Sequence, residues 1–151
     1  VKSFPVVQVS GVTWEFFDDV SVIDSEPFAV LVFAWDPSGI VLANISNRGW
    51  CIPSGRIEVG ESPIEAAVRE AREEAQIEVS DLQPFGCYRL TSDTSVRWSI
   101  CYRAKVAGFH PFLPNEESCG RCNCSYDQLP GIYYLWNDLI ASVFAESRFP
   151  I

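Results

Sequence analysis

Residues 28–35, Phe-Ala-Val-Leu-Val-Phe-Ala-Trp, form the longest unbroken apolar run of the chain. A short run rich in Val and Phe predicts a strand covered on both faces. Asp36-Pro37-Ser38-Gly39 reads as a turn, with Pro second and Gly fourth, leading into a second strand over 40–43. A loop from Asn44 to Gly49 brings the chain to a short strand over 50–52, closed by Pro53-Ser54-Gly55. The period then changes. Ile64, Ala67, Val68, Ala71 and Ala75 recur at helical spacing as one narrow apolar stripe. Ser62-Pro63-Ile64-Glu65 is a capping box with Pro at the first helical position, and the helix is expected to end near Gln76. Small Ala side chains in the stripe let such a helix lie close to a sheet.

Residues 82–90 and 96–106 read as two strands joined by the polar turn 91–95. The Pro-, Gly- and Cys-rich stretch 107–131 reads as irregular and 132–136 as a further strand. Asn137 is expected to cap a last helix from Asp138 to about Ser147. The apolar segment 6–17 would add an edge strand or a dimer contact. No repeat, low-complexity tract or Gly/Ser linker divides the chain, so residues 1–151 are read as a single domain. Strands on both sides of a central helix, followed by a final helix, predict a mixed α/β sandwich.

Composition narrows the function classes. Hydrophobic residues make up 48% and charged residues 21%, which excludes a disordered chain. The longest apolar run is far shorter than the ~20 residues of a membrane helix. Val1-Lys2-Ser3-Phe4-Pro5 lacks the basic and apolar segments of a secretory signal, so a soluble cytoplasmic protein is expected. A net charge of −9 leaves no footprint for nucleic-acid backbones. The acids are uneven: Glu58, Glu61, Glu65, Glu70, Glu73, Glu74 and Glu78 lie within one short stretch. Such a run is either a solvated helix face or a site for divalent cations.

Spacing favours the cations. Glu70, Glu73 and Glu74 stand at i, i+3 and i+4 on one helical face, where like charges repel by a few tenths of a kcal/mol per pair. Carboxylate oxygens suit Mg²⁺ or Mn²⁺, and Mg²⁺ usually bridges protein carboxylates to substrate phosphates. Arg69 can pair with Glu73 at i+4. Read from Gly55, the segment Gly55-x₅-Glu61-x₇-Arg69-Glu70-Ala71-x-Glu73-Glu74-x-Gln76-Ile77 resembles the Nudix box, with Gln76 where that family has Gly. Ser54, where a second Gly is frequent, is a milder departure.

The resemblance implies a Nudix-like α/β/α sandwich with a mixed sheet. It also implies hydrolysis of the pyrophosphate linkage of a nucleoside diphosphate joined to a group X. Glu70, Glu73 and Glu74, with the backbone of Gly55, would hold Mg²⁺ or Mn²⁺, and Arg69 would support them. A box glutamate, Glu70 or Glu73, or an acid on a later loop would act on the water; Glu116 and Glu117 are the loop candidates, Glu117 being carried forward, with Asp127 behind them. A catalytically weak nucleotide-sensing module is the alternative, and homodimers are frequent in the family.

Arg56, Arg89 and Trp50 are carried as substrate contacts, the arginines for phosphate and the indole for stacking on a base. Arg97 and the indoles of Trp14, Trp35, Trp98 and Trp136 are weaker candidates. Cys119, Cys122 and Cys124, with His110 upstream, would supply a structural zinc site, although reduced loop thiols or an oxidised pair are favoured over it. Cys87 and Cys101, nearly equidistant from the turn near Thr94, are expected to face each other across two strands, as buried free thiols. A lone His disfavours the His-rich metal site of the isopentenyl diphosphate isomerases, and no Gly-x-Ser-x-Gly elbow supports a serine hydrolase.

Overall fold

The computed structural model describes residues 2–149. Val1, part of the stretch read for a secretory signal, lies outside the described residues, as do the last two positions of the span 1–151 that was expected to form a single domain. The strands are β1 (Val7–Val9), β2 (Val12–Phe17), β3 (Ala29–Asp36), β4 (Gly39–Ile45), β5 (Gly49–Cys51), β6 (Ser54–Arg56), β7 (Ile77–Thr91), β8 (Val96–Phe109) and β9 (Ser118–Cys124). They form one sheet in the order β1-β2-β7-β8-β3-β4-β5, with β6 on β3 and β9 on β4. β3 and β8 run parallel and the other pairings are antiparallel. The helices are α1 (Pro63–Glu70), α2 (Leu129–Ile132) and α3 (Asp138–Ser147), and α1 continues into a π-helical turn, Ala71–Ala75.

The apolar run of β3 is buried on both faces, and the reason is visible in its alternation. Val30, Val32 and Ala34 point to the face that packs Ala66, Ala67, Ala71 and Ala75 of the α1 segment. Phe33 points to the opposite face, among Phe85, Leu139, Val143 and Phe144, with Leu31 and Trp35 packed beside them. The result is the expected α/β/α sandwich with a mixed sheet. Among the described residues no helix is long and apolar enough to cross a membrane.

Two cap expectations hold. Ser62 Oγ accepts from the Glu65 backbone N–H while Glu65 accepts from that of Ser62, and Asn137 Oδ1 accepts from the Ile140 N–H. The turn before β4 also forms as expected, with Asp36 Oδ1 accepting from the N–H groups of Ser38 and Gly39. β2 lies beside β7, and only the short β1 lies outside it, so segment 6–17 does supply edge strands.

Four expectations are corrected. The buried stripe of the box helix is Ala66, Ala67, Ala71 and Ala75, and Ile64 stands half exposed. The stripe is rotated because Glu70 and Glu74 share the inward side. Residues 107–131 are not irregular throughout: β8 runs to Phe109, and β9 pairs with β4 from Ile40↔Cys124 to Ile45↔Ser118. Residues 132–136 are not a strand. Gln128 Oε1 accepts from the Ser125 N–H and opens a helical turn that ends at Ile132, after which Tyr133 and Trp136 lay their rings against Phe144. Cys101 lies opposite Gly86 and Cys87 opposite Ile100, so the two thiols are one register step apart, and all six cysteines are free.

The close approach of α1 gives a direct test. Ala71 is fully buried against the sheet, so Ala71→Leu is expected to cost about 1–3 kcal/mol in urea unfolding. A neutral result would mean the helix–sheet seam has slack.

Candidate active site

A single guanidinium organises the loop between β6 and α1. Arg69 Nε donates to Glu61 Oε2 at 2.7 Å and its Nη2 to Glu61 Oε1 at 2.9 Å, a bidentate pair. Arg69 Nη1 donates to Glu70 Oε1 at 2.7 Å and to Glu73 Oε2 at 3.2 Å, and Nη2 also donates to the Arg56 carbonyl. The i+4 pairing with Glu73 is therefore present but is the longest of the carboxylate bonds. The guanidinium holds the Glu61 carboxyl down at about 2. Arg69 thus ties the loop to the helix and acts as a positioning residue.

The glutamates divide by environment. Glu74 is 4% exposed and Glu70 7%, whereas the Glu73 side chain is 57% exposed. The π-helical turn across Ala71–Ala75 fits this split, because its wider winding keeps Glu74 on the side of Glu70 and turns Glu73 farther from it. Burial lifts the Glu74 carboxyl to about 7, against a hydrogen bond donated by the Ser54 N–H at 2.8 Å. Burial also raises Glu70, outweighing Arg69. A Cβ at position 55 would displace the Glu70 carboxylate from its present place, so Gly55 is what lets that carboxylate lie against the loop. Ser54 needs no such freedom: it serves through its N–H, and its φ is not positive.

These groups face a cleft of about 600 Å³ whose wall includes Arg48, Gly55, Arg56, Arg69, Glu70, Glu73, Glu74 and Glu117. Glu117 is the one later acid brought to the box. Glu116 instead offers its backbone carbonyl to Ser46, and Asp127 sits on a 3-10 turn away from the cleft. The cleft shares Arg48, Ser54, Gly55 and Arg56 with an adjoining cavity of about 300 Å³, walled by Trp14, Phe28, Leu31, Tyr88, Leu90 and Tyr134. The donor set suits a hard divalent cation: several carboxylates, two of them buried against their charge, beside a backbone stretch that glycine leaves open. Among the described residues no three His, Cys, Asp or Glu side chains already converge as a metal-ligand group.

Other expected contacts fall elsewhere. Arg89 forms a bidentate pair with Glu15 and lines a separate cavity with Asp24 and Trp98, so it is not in the cleft. Arg97 lies over the Phe28 ring, 4.1 Å from its centroid. Trp50 packs on Gly120 and the core, while Trp14 reaches the aromatic cavity. The four expected zinc ligands are not gathered: His110 Nε2 lies 2.8 Å from Glu78 Oε2, Cys119 is exposed, and Cys124 is buried in the core.

Sequence reasoning missed Arg48 and Tyr134. The Arg48 guanidinium lies 3.9 Å from the Cys51 thiol and 5.9 Å from the centre of the Tyr134 ring. The one available signal was Asn47-Arg48-Gly49, whose outer residues take φ of 66° and 116° and turn Arg48 inward. Gln76 keeps the left-handed conformation of a helix-ending glycine, at φ 54° and ψ 47°, at a cost of about 1–2 kcal/mol. No box carboxylate is lost by that departure.

Comparison with known proteins agrees with this geometry. The family model described as NUDIX domain matches residues 26–141. A nucleoside triphosphate pyrophosphatase/Nudix hydrolase fusion protein from Bifidobacterium longum is 52% identical over 40 residues. That stretch is 26% of this chain but only 8% of the fusion protein's length. Among solved structures, a pyrophosphohydrolase from Bacillus subtilis superposes with a TM-score of 0.77 at 20% identity, covering 90% of this chain and 89% of its own. An ADP-ribose pyrophosphatase from Streptococcus suis gives 0.57 at 21% identity, covering 79% and 87%. At these identities the likeness is one of fold.

The buried Glu74 makes a stability prediction. Its ordinary value is 4.5 and its folded value about 7, so between them the folded chain holds a proton that the unfolded chain has lost. Stability of the metal-free protein therefore falls as pH rises from 4.5 to 7, and the penalty persists above 7. Glu74→Gln, which keeps an acceptor for Ser54, is expected to raise Tm in EDTA at pH 8 by roughly 5 °C and to change it little at pH 4.5. Equal shifts at both pH values would remove charge burial as the cause.

Proposed function

The chain belongs to the NUDIX family, and from that premise we propose that it hydrolyses the pyrophosphate linkage of a nucleoside diphosphate joined to a further group X. The observation that carries this reading is the continuity of the acidic cleft with an aromatic cavity across Arg48 and Arg56. A diphosphate needs cationic contacts on its oxygens and a planar base needs an apolar slot, and the two stand side by side. The pyrophosphohydrolase neighbour supports the reaction type, and the ADP-ribose pyrophosphatase neighbour supports the substrate class.

Glu70, Glu73 and Glu74, with the Gly55 carbonyl, would hold Mg²⁺ or Mn²⁺, which when bound offsets charge on the phosphate oxygens. Arg69 keeps Glu70 and Glu73 facing the cleft through its bonds to both. Glu117 accepts the proton of the attacking water. Arg48 and Arg56, neither in a carboxylate ion pair among the described residues, contact the diphosphate on the side nearer the aromatic cavity. Trp14, Tyr88 and Tyr134 receive the planar group. Charge preset around the reacting phosphate, more than any single proton transfer, supplies most of the rate gain.

A panel of ADP-ribose, NADH, diadenosine polyphosphates and nucleoside triphosphates, with products separated by chromatography, tests the proposal. At least one member is expected to turn over only with Mg²⁺ or Mn²⁺, and about 100-fold more slowly in Glu74→Gln. Binding of a nucleotide with no turnover of any member would establish the sensing alternative instead. On the substrate so found, Arg48→Ala is expected to raise KM about tenfold with kcat little changed, as loss of uniform binding does. A fall in kcat at constant KM would place Arg48 in the chemistry.

A further inference from the structure

We propose that Gln76 is a positioning residue for Glu117, holding the segment that carries it against the cleft; this rests on the reading of Glu117 as the group that accepts the proton from water. A residue at this left-handed helix end needs only to be compatible with the backbone, and glycine meets that need most simply. Gln76 does something glycine cannot. Its side-chain amide pairs in both directions with the backbone of Leu113: Oε1 accepts from the Leu113 N–H at 2.9 Å, and Nε2 donates to the Leu113 carbonyl at 2.8 Å. Its backbone carbonyl accepts from the His110 N–H at 3.0 Å and from Arg121 Nη1 at 3.1 Å. One residue thus grips segment 110–113 at both ends.

The next links lead to Glu117. Asn115 Oδ1 accepts from the N–H groups of Glu117 and Ser118, at 2.9 and 2.7 Å. The Glu117 carbonyl accepts from the Ser46 N–H at 2.8 Å, and the Ser118 hydroxyl donates to the Glu74 carbonyl at 2.6 Å. Segment 110–117 has no helix or strand of its own, and Leu113 is 72% exposed. Little apolar burial orders it, so its register rests on polar anchors. His110 is also held by Arg121 and Glu78, and the Gln76 amide extends that hold to Leu113, between β8 and Asn115. Losing the amide frees the approach to Glu117 while leaving the Asn115 and Ser46 bonds to hold a looser average position.

Gln76→Gly tests this, because it relieves the left-handed backbone and removes the amide, so the protein is expected to fold with an unchanged or higher Tm. Hydrogen exchange at the Leu113 and Glu117 amides should quicken more than tenfold, with α3 unaffected. On the panel nucleotide turned over fastest, kcat should fall about tenfold and KM stay within threefold. Gln76→Gly with Glu117→Gln should be no slower than Glu117→Gln alone, since the amide acts through that carboxylate. Gln76→Asn, whose shorter amide misses Leu113 but tolerates the left-handed backbone, should behave like the glycine variant. Unchanged exchange at Leu113 and Glu117, or wild-type kcat in Gln76→Gly, overturns the proposal, as do additive losses in the double variant. Quickened exchange together with a Glu117→Gln enzyme of wild-type kcat overturns the role of Glu117 and not the anchor.

Discussion

Glu70 and Glu74 lie buried within one turn of each other where the box helix meets the sheet, and this burial of like charge constrains the rest of the structure. An isolated buried carboxylate is strongly unfavourable, and two of them repel across a medium that screens poorly. The fold answers with local devices. Arg69 neutralises Glu70, the Ser54 N–H bonds Glu74, and Gly55 leaves room for the Glu70 carboxylate. The alanine stripe follows from the same demand: larger side chains at 66, 67, 71 and 75 would lift the helix and open the carboxylates to water.

Substrate recognition faces the opposite problem. A chain of net charge −9 repels anionic ligands at long range, although salt limits that repulsion to about a Debye length. Attraction must therefore be local. In the proposed function Arg48 and Arg56 supply it, since both line the acidic cleft and the aromatic cavity. Most other arginines are committed to glutamates or backbone carbonyls, as Arg72 is to Glu78 and Arg121 to the carbonyls of Ala75, Gln76 and His110.

Where one residue type had one physical outlet, the sequence was readable. Ser62 and Asn137 could satisfy helix-terminal N–H groups, and the run from Phe28 to Trp35 could be buried only on both faces of a central strand. The box glutamates were legible as a group, but their inequality was not, because a π-helical turn changes the phase that an α-helical wheel assumes. The stripe was misread for a related reason: Ile64 and Val68 outweigh alanine in hydrophobicity, yet the buried carboxylates fixed which side faced inward. β9 was hidden because Gly120, Arg121 and Asn123 have little strand preference, and the strand exists because β4 offers an edge to pair with. Residues 132–136 show the converse, with aromatic content mistaken for a strand when the rings are separate plugs against Phe144. Arg48 left almost no trace, since only the turn around it marks its direction.

Left-handed backbone at non-glycine residues does not by itself mark a site. Ser10 and Asp81 adopt it at φ of 50° and 53° in a hairpin turn and a strand irregularity, where local geometry is reason enough. Asn47 and Gln76 adopt it next to the cleft, and what separates them is the neighbouring structure that fixes them. Asn47 precedes Arg48 in a turn closed by the Arg48 N–H to the Ile45 carbonyl. Gln76 is held by four hydrogen bonds to the segment before Glu117 and to Arg121. Strain persists where surrounding contacts over-determine it. At Gln76 two of those four contacts come from the side-chain amide, which is the physical reason a residue other than glycine is held at this left-handed position.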